Sequence, residues 1–211
     1  MIVKIGDVIE VGEAKIERKN DSLKLSDRYS NLEYIVDPNS KVELLPLPPF
    51  YVPQKVANHL MLEFEKPLVV NGRWEVWAEG PYEIDVRIDG RRAAILSPIK
   101  VKHALYGDMT EGVVCRHFKT RIYNDVPKRK ELAAVKIVFN AQPSGRVDKL
   151  VMHGAALTIF ERNDRYYYEI IDVQVKESSI IVNLTDKSPI SDAIEVHKDE
   201  SILKARYVMR W

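Results

Sequence analysis

Apolar and polar residues alternate with a period of two through the middle of the chain, and residues 82–89 show this pattern most clearly. Four apolar residues alternate there with four charged ones, the apolar set being Tyr82, Ile84, Val86 and Ile88. Successive side chains of a β-strand point to opposite faces of the sheet, so the pattern is typical of a strand with one buried face. We therefore predict a strand that buries its apolar residues and exposes its charged ones.

Two more alternating runs, 99–106 and 113–122, flank the loop 107–112 and predict an antiparallel hairpin. When the loop is folded symmetrically, Leu105 lies opposite Val114 and the apolar faces of the two strands coincide. Coincidence of the apolar faces is what fixes the register of a strand pair. The sequence thus predicts both the hairpin and its register.

Two polar residues fall on the inner face of this hairpin. The register places His103 opposite Arg116, and we expect the two to form a buried polar pair. A buried guanidinium without partners is too costly to persist. We therefore expect Arg116 to contact a carboxylate or several backbone carbonyls.

The outer face of the same hairpin is basic, and its residues are Lys100, Lys102, His117, Lys119 and Arg121. The register brings Lys100 beside Lys119 and Lys102 beside His117, and like charges across a strand pair are unfavourable. Either an anionic partner binds this face, or acidic residues on flanking strands neutralise it. Both interpretations stay open from the sequence alone.

Short strand candidates separated by turn signals continue on both sides of the hairpin, and strong helical periodicity is nearly absent. This organisation predicts an all-β protein built as an antiparallel β-sandwich, either continuous or as two packed sandwich modules. Proline-rich residues 46–53 and the polar break at 124–130 suggest three segments. They are an N-terminal β-meander (1–50), a central β module (51–125) and a C-terminal β module (126–211).

Composition sets the broad class of protein. The 211 residues are 45% hydrophobic and 30% charged with a net charge of +1, which is enough apolar material for a core. No apolar run is long enough to span a membrane, and the N-terminus has no signal-peptide core. A single cysteine suits a reducing compartment, so we expect a cytoplasmic protein. The high charge content favours a thermophilic source.

The charge is unevenly distributed along the chain. Residues 87–130 carry 11 Lys and Arg against 4 Asp and Glu, whereas residues 161–200 carry 5 against 10. A basic block of this kind marks an anion-binding surface, or it lies beside acidic strands in an ion-pair network.

Candidate chemistry is sparse. Cys115 and His117 project from one strand face, but no nucleophile elbow or glycine-rich loop accompanies them. Adding His103 or His59 does not give the ligand spacing of a metal site. Phosphate-binding loops and dinucleotide fingerprints are absent from the sequence. We predict no catalytic residue, no metal site and no cofactor.

Three short motifs carry a family resemblance: residues 67–70 (PLVV), 102–107 (KHALYG) and 112–116 (GVVCR), with a weaker one from His153 to Tyr168. At these residues the chain resembles an uncharacterised archaeal family known only as a domain of unknown function, over most of its length. Asn71-Gly72 departs from the pattern, which has a proline-containing turn there. The resemblance implies an archaeal source and supplies no activity or functional residue.

Three classes of function follow. The first is a non-catalytic β-sandwich protein that binds another protein or associates with its own copy. The second is a binder of anions, nucleic acid or acidic surfaces through the basic strand pair at 100–121. The third is a metal-dependent enzyme. Salt-dependent retention on an anionic polymer separates the second from the first, because counterion release makes such binding steeply salt-sensitive.

Overall fold

The computed structural model describes residues 1–53, 57–107, 112–199 and 207–210. Within these ranges the chain forms strands in three sheets, and the only helix is one 3-10 turn at Gly154–Ala156. The predicted all-β class is confirmed, with several antiparallel sheets packed together. None of the described helices has the length and apolar character to cross a membrane.

The strands follow one another in chain order as β1 (Ile2–Val3), β2 (Val8–Val11), β3 (Ala14–Arg18), β4 (Ser22–Ser26), β5 (Asn31–Ile35), β6 (Val42–Leu47), β7 (His59–Gly80), β8 (Glu83–Ile88), β9 (Arg91–Leu96), β10 (His103–Tyr106), β11 (Val113–Thr120), β12 (Ala133–Met152), β13 (Ile159–Glu161), β14 (Tyr166–Tyr168), β15 (Ile171–Lys176), β16 (Ser179–Leu184), β17 (Ile194–His197) and β18 (Tyr207–Arg210).

The first sheet is an antiparallel meander in the order β2-β3-β4-β5. Its central strands alternate between the two faces, and the buried set includes Ala14, Ile16, Leu23 and Leu25. The second sheet has the order β1-β6-β8-β9, so strands from the predicted N-terminal and central segments lie side by side in it. Residues 1–50 therefore contribute to two sheets.

Strand β8 differs from its prediction. Its apolar residues are buried as expected, but the carboxylates of Glu83 and Asp85 on the opposite face are also buried. Asp85 is neutralised by Arg87 and Arg92, whose Nε atoms each lie 2.8 Å from one of its carboxylate oxygens. The charged face of β8 is therefore buried at Glu83 and Asp85, whereas Arg87 on the same face stays partly exposed.

The third sheet is organised by the two longest strands, β7 and β12, which pair antiparallel from Gly80–Ala133 to Leu60–Met152. Residues 142–145 have the sequence Gln-Pro-Ser-Gly, which is typical of a turn, but they lie in β12, where the register shifts between the pairs Ala141–Gly72 and Gly145–Val70. The sequence signal for a turn therefore corresponds to a bulge, because local turn residues also permit an irregular strand.

Three pairs in this sheet are parallel: β11 with β7, and β12 with both β14 and β15. Strand β15 continues to β16 and then to β18. One apolar core joins all three sheets, with Ile16 in the first, Val86 in the second and Phe139 in the third. This shared core places the hairpin β10–β11 at one border of the third sheet.

Candidate functional site

Strands β10 and β11 form a two-stranded border of the third sheet, which we call the edge ribbon (103–106 and 113–120). Its predicted register is confirmed, since Leu105 pairs with Val114 and His103 with Arg116. Strand β11 lies against β7, whereas β10 has no second neighbour among the described strands. The ribbon thus presents a free strand edge.

The predicted inner face of the ribbon needs correction. Arg116 is only 2% exposed, but His103 is exposed, so the two do not form a buried pair. Leu105 and Val114 are 47% and 45% exposed, whereas Cys115 on the opposite face is fully buried. An edge strand lacks a lateral neighbour, so a residue there becomes buried only if another layer covers it.

The five residues predicted to form one basic patch divide into two groups. Three are paired with acidic residues of β7: His117 Nε2 lies 2.8 Å from Glu63, Lys119 Nζ 4.0 Å from Glu63 and Arg121 Nε 2.8 Å from Glu65. The parallel pairing of β11 with β7 places Glu63 directly beside Lys119.

The other two residues, Lys100 and Lys102, lie just before β10 and are exposed. Among the residues that the structure describes, no carboxylate forms an ion pair with either lysine. Both lysines line a narrow cleft with Arg116, His117 and Phe118, and its volume of about 20 Å³ accommodates a group the size of a water molecule. We call this the basic cleft.

Beneath the basic cleft, Arg116 lies near the buried carboxylate of Glu83. Burial lowers the pKa of Arg116 from its usual value, and the negative charge of Glu83 acts in the opposite direction. Burial raises the pKa of Glu83 to about 7, opposed by backbone hydrogen bonds and by Arg116. The attraction between the two charges offsets part of the cost of burying the guanidinium.

Backbone donors hold Glu83 in place. The N–H groups of Tyr51 and Val52 donate to its two carboxylate oxygens at 2.8 and 2.9 Å. These residues belong to the proline-rich segment 46–53, which has few backbone bonds of its own, since proline lacks an N–H group. Glu83 therefore fixes this connector against β8.

Sequence reasoning missed three acidic residues that define the site: Glu63, Glu65 and Glu83. The first two alternate with the buried Leu62 and Phe64, which is a recognisable strand signal. Their position beside β11 was not accessible, because a parallel neighbour far along the chain leaves no local pattern. Nothing in the sequence indicated that Glu83 is buried, since it alternates with the apolar residues of its strand and was therefore predicted to be exposed.

The candidate catalytic groups are not arranged for nucleophilic attack. Burial raises the pKa of Cys115 to about 11, so its sulfur stays a thiol at neutral pH. His117 projects from the same strand face but contacts Glu63. Among the described residues, no group of three His, Cys, Asp or Glu side chains is placed to hold a metal ion.

Comparison with known proteins gives a single result. No curated protein and no solved structure matches the chain. One family model, described as "Protein of unknown function (DUF432)", matches residues 4–210. Since that match covers nearly the whole sequence, including the three sheets, the edge ribbon and the basic cleft, the chain belongs to the DUF432 family.

Proposed function

We propose that this protein is a non-catalytic protein-binding protein whose binding surface is the edge ribbon. The partner is an extended protein segment in which acidic residues stand next to apolar ones. The observation that carries the proposal is a combination at one sheet border, taken over the described residues: a strand edge without a second neighbour, an exposed apolar pair, and two lysines without a carboxylate partner.

The free edge supports the strand-like form of the partner. Strand β10 offers the backbone groups of its outer side to an added strand, which is how extended peptides commonly bind to sheets. Leu105 and Val114 sit side by side across the ribbon, and each is nearly half exposed. An apolar pair of this kind on a sheet border gains free energy when a partner covers it.

The charges support the acidic character of the partner. Lys100 and Lys102 precede β10, and Lys102 lies about 10 Å along the chain from Leu105 at the usual rise per residue. The basic cleft, which Lys100 and Lys102 both line, accepts a group no larger than a single carboxylate oxygen or water. A carboxylate that reaches the lysines forms charge-assisted hydrogen bonds.

Ion pairing disfavours an anionic polymer as the main ligand. His117, Lys119 and Arg121 already have carboxylate partners on β7. Nucleic acid binding depends on several cations that neutralise successive phosphates. Lys100 and Lys102, which have no carboxylate partner in the described part of the chain, suit a short acidic segment better than a long polyanion.

The proposal is tested by fluorescence anisotropy with a labelled peptide of about eight alternating Val and Glu residues, long enough to lie along the ribbon. The reference peptide carries Lys in place of Glu, and a single-stranded oligonucleotide is the third probe. We expect only the Val/Glu peptide to bind, and Lys100→Glu with Lys102→Glu to weaken it at least about tenfold. The same weakening is expected from Leu105→Asp.

The matched control is Lys119→Glu with Arg121→Glu, which reverses two charges on the same ribbon. Because these residues are paired with Glu63 and Glu65, this variant should lose thermal stability and keep peptide binding. Equal affinity for the two peptides, or unchanged binding in the Lys100/Lys102 variant, would contradict the proposal. Tighter, salt-sensitive binding of the oligonucleotide would instead favour the anionic-polymer function.

A further inference from the structure

A second cluster of titratable side chains lies on the face of the third sheet that contains Cys115. His59 begins β7, His153 follows β12, and Tyr207 begins β18. The ring centroids of His59 and His153 are 5.3 Å apart at an interplanar angle of 71°, and those of His59 and Tyr207 are also 5.3 Å apart. Two imidazoles therefore pack edge to face beneath the ring of the C-terminal strand.

The neighbours of this cluster come from three other elements. Cys115 of β11 is the lateral partner of His59, and the ring of Tyr106 lies 6.3 Å from that of Tyr207. Lys149 of β12 places its ammonium 5.5 Å from the centre of the Tyr106 ring. These groups are neutral or positive at neutral pH, and none is a carboxylate.

The partly buried position of His59 favours its neutral form. Burial, and to a lesser extent the charge of His153, lowers the pKa of His59 from its usual value. The Nδ1 atom of His153 is buried and has no hydrogen-bond partner among the described residues. A proton added to His59 must share this space with a second imidazole, and none of the described neighbours named above is a carboxylate that could balance it.

Strand β18 lies over the cluster at Tyr207, whose ring packs on that of His59. It pairs with β16 over four residues, from Val182–Tyr207 to Ser179–Arg210. On its other side, Met209 is buried and its sulfur accepts a hydrogen bond from the N–H of Val151 at 3.3 Å. The ring of Tyr207 on His59 is the contact that joins β18 to the start of β7.

We propose that His59 and His153 form an acid-sensitive latch for the C-terminal strand. When His59 is neutral, β18 stays docked over it and over Cys115. When His59 is protonated, its positive charge lies beside the ring of His153, 5.3 Å away, in a partly buried site, and β18 undocks. Undocking exposes the two imidazoles and the buried thiol of Cys115.

The sign of the pH dependence follows from linkage. The docked state holds His59 with a pKa below the ordinary histidine value, so it binds fewer protons than the undocked state. A state that binds fewer protons becomes more stable as pH rises. Docking is therefore strongest above about pH 6.5, the ordinary histidine value, and weakens as the pH falls below it.

The single cysteine serves as the reporter for the first experiment. The rate of modification of Cys115 is measured with 4,4′-dithiodipyridine, which reacts with thiols in acid, at about pH 7.5 and about pH 5.5, on either side of the ordinary histidine range. After correction with a free-thiol standard, we expect a rise of up to about tenfold, because pH 5.5 lies about one unit below the ordinary histidine pKa. Far-ultraviolet circular dichroism should stay constant over the same range.

Three variants test which histidine causes the pH dependence of Cys115 modification. His59→Gln and His153→Gln should each flatten the pH dependence, whereas His197→Gln should leave it intact. His197 is the matched control, because burial also lowers its pKa and it lies in β17, away from Cys115. A pH-independent rate in the wild-type protein, or a dependence that survives both substitutions, overturns the proposal.

A measurement on the wild-type protein covers the case in which a glutamine variant does not fold. Hydrogen exchange, corrected for the intrinsic rate, is followed in peptides from residues 207–210 and from β7. We expect the C-terminal peptide to lose protection at about pH 5.5 while β7 retains it. Equal protection of residues 207–210 at both pH values contradicts the latch.

Discussion

Glu83 is a carboxylate in the interior of a β-protein, and its surroundings are built to tolerate the charge only in part. Two backbone N–H groups and the nearby Arg116 favour the ionised form, while burial disfavours it more strongly. The net result is a group whose pKa rises from 4.5 to about 7. At the scale of single residues, the stability of this protein is therefore tied to pH near neutrality.

Replacing Glu83 with Gln should remove that dependence. A raised pKa in the folded state means that stability is greatest below about pH 4.5 and is lost as pH rises through about 7. From the gap between those values, the wild-type protein should lose about 3 kcal/mol across this window relative to Glu83→Gln. Urea denaturation at several pH values measures the difference.

The control for this comparison is Glu65→Gln, which removes an exposed carboxylate. Its free energy of unfolding should follow the wild-type pH profile, since exposed ion pairs contribute about 0–1 kcal/mol. Parallel profiles for wild-type and Glu83→Gln would show that Glu83 does not titrate in this window.

Among the elements, the end of β12 is held by close packing onto β7 and the proline-rich segment. A Cβ atom added at Gly154 would lie 2.4 Å from Cζ of Phe50 and 2.7 Å from Cβ of Leu60. The Leu60 atom is next to the backbone and cannot rotate away. Gly154→Ala should therefore destabilise the protein by about 1–3 kcal/mol, the usual cost of overpacking a core.

Gly145→Ala provides the comparison at the bulge of β12. There the added Cβ meets one terminal methyl group, Cγ1 of Val175, at 2.5 Å, and its next neighbour is 3.9 Å away. A rotation of Val175 relieves that contact, so the loss in thermal unfolding should be smaller than at Gly154. A smaller loss for Gly154→Ala would show that the turn after β12 moves readily.

How far the elements were predictable depends on the range of the interactions that define them. The hairpin register of Leu105 with Val114 was predictable, because both strands and their loop are contiguous. The burial of Cys115 and the exposure of Leu105 were not predictable. They depend on β12, on β18 and on the edge of β10, which has no second neighbour among the described strands. Likewise, the acidic partners of Lys119 and Arg121 come from β7, which is parallel and distant in sequence.

The two longest strands, β7 and β12, connect parts of the chain that are distant in sequence. Strand β7 contacts β11 at one end and β12 along its length, and β12 also pairs with β14 and β15. The second sheet combines strands from both sides of β7 in the chain. The segments seen in the sequence therefore share one core and depend on one another for burial.

A single cooperative unfolding transition follows from this arrangement. Circular dichroism and tryptophan fluorescence should give the same midpoint in guanidinium chloride, since Trp74 and Trp77 lie in the central strand β7 and Trp74 stacks on Phe139 of the shared core. Calorimetry should give equal van't Hoff and calorimetric enthalpies. Two separated midpoints would indicate that the meander β2–β5 unfolds independently of the rest.

Ribosomal synthesis delivers β7 long before its partners. Gly80 pairs with Ala133 and Leu60 with Met152, and even the nearer neighbour β11 begins only at Val113. The meander β2–β5 has local contacts and can fold as it emerges, whereas β7 must wait with Leu62 and Phe64 uncovered. The nascent chain thus carries a long unpaired apolar strand for much of its translation, which exposes it to aggregation until β11 and β12 have been synthesised.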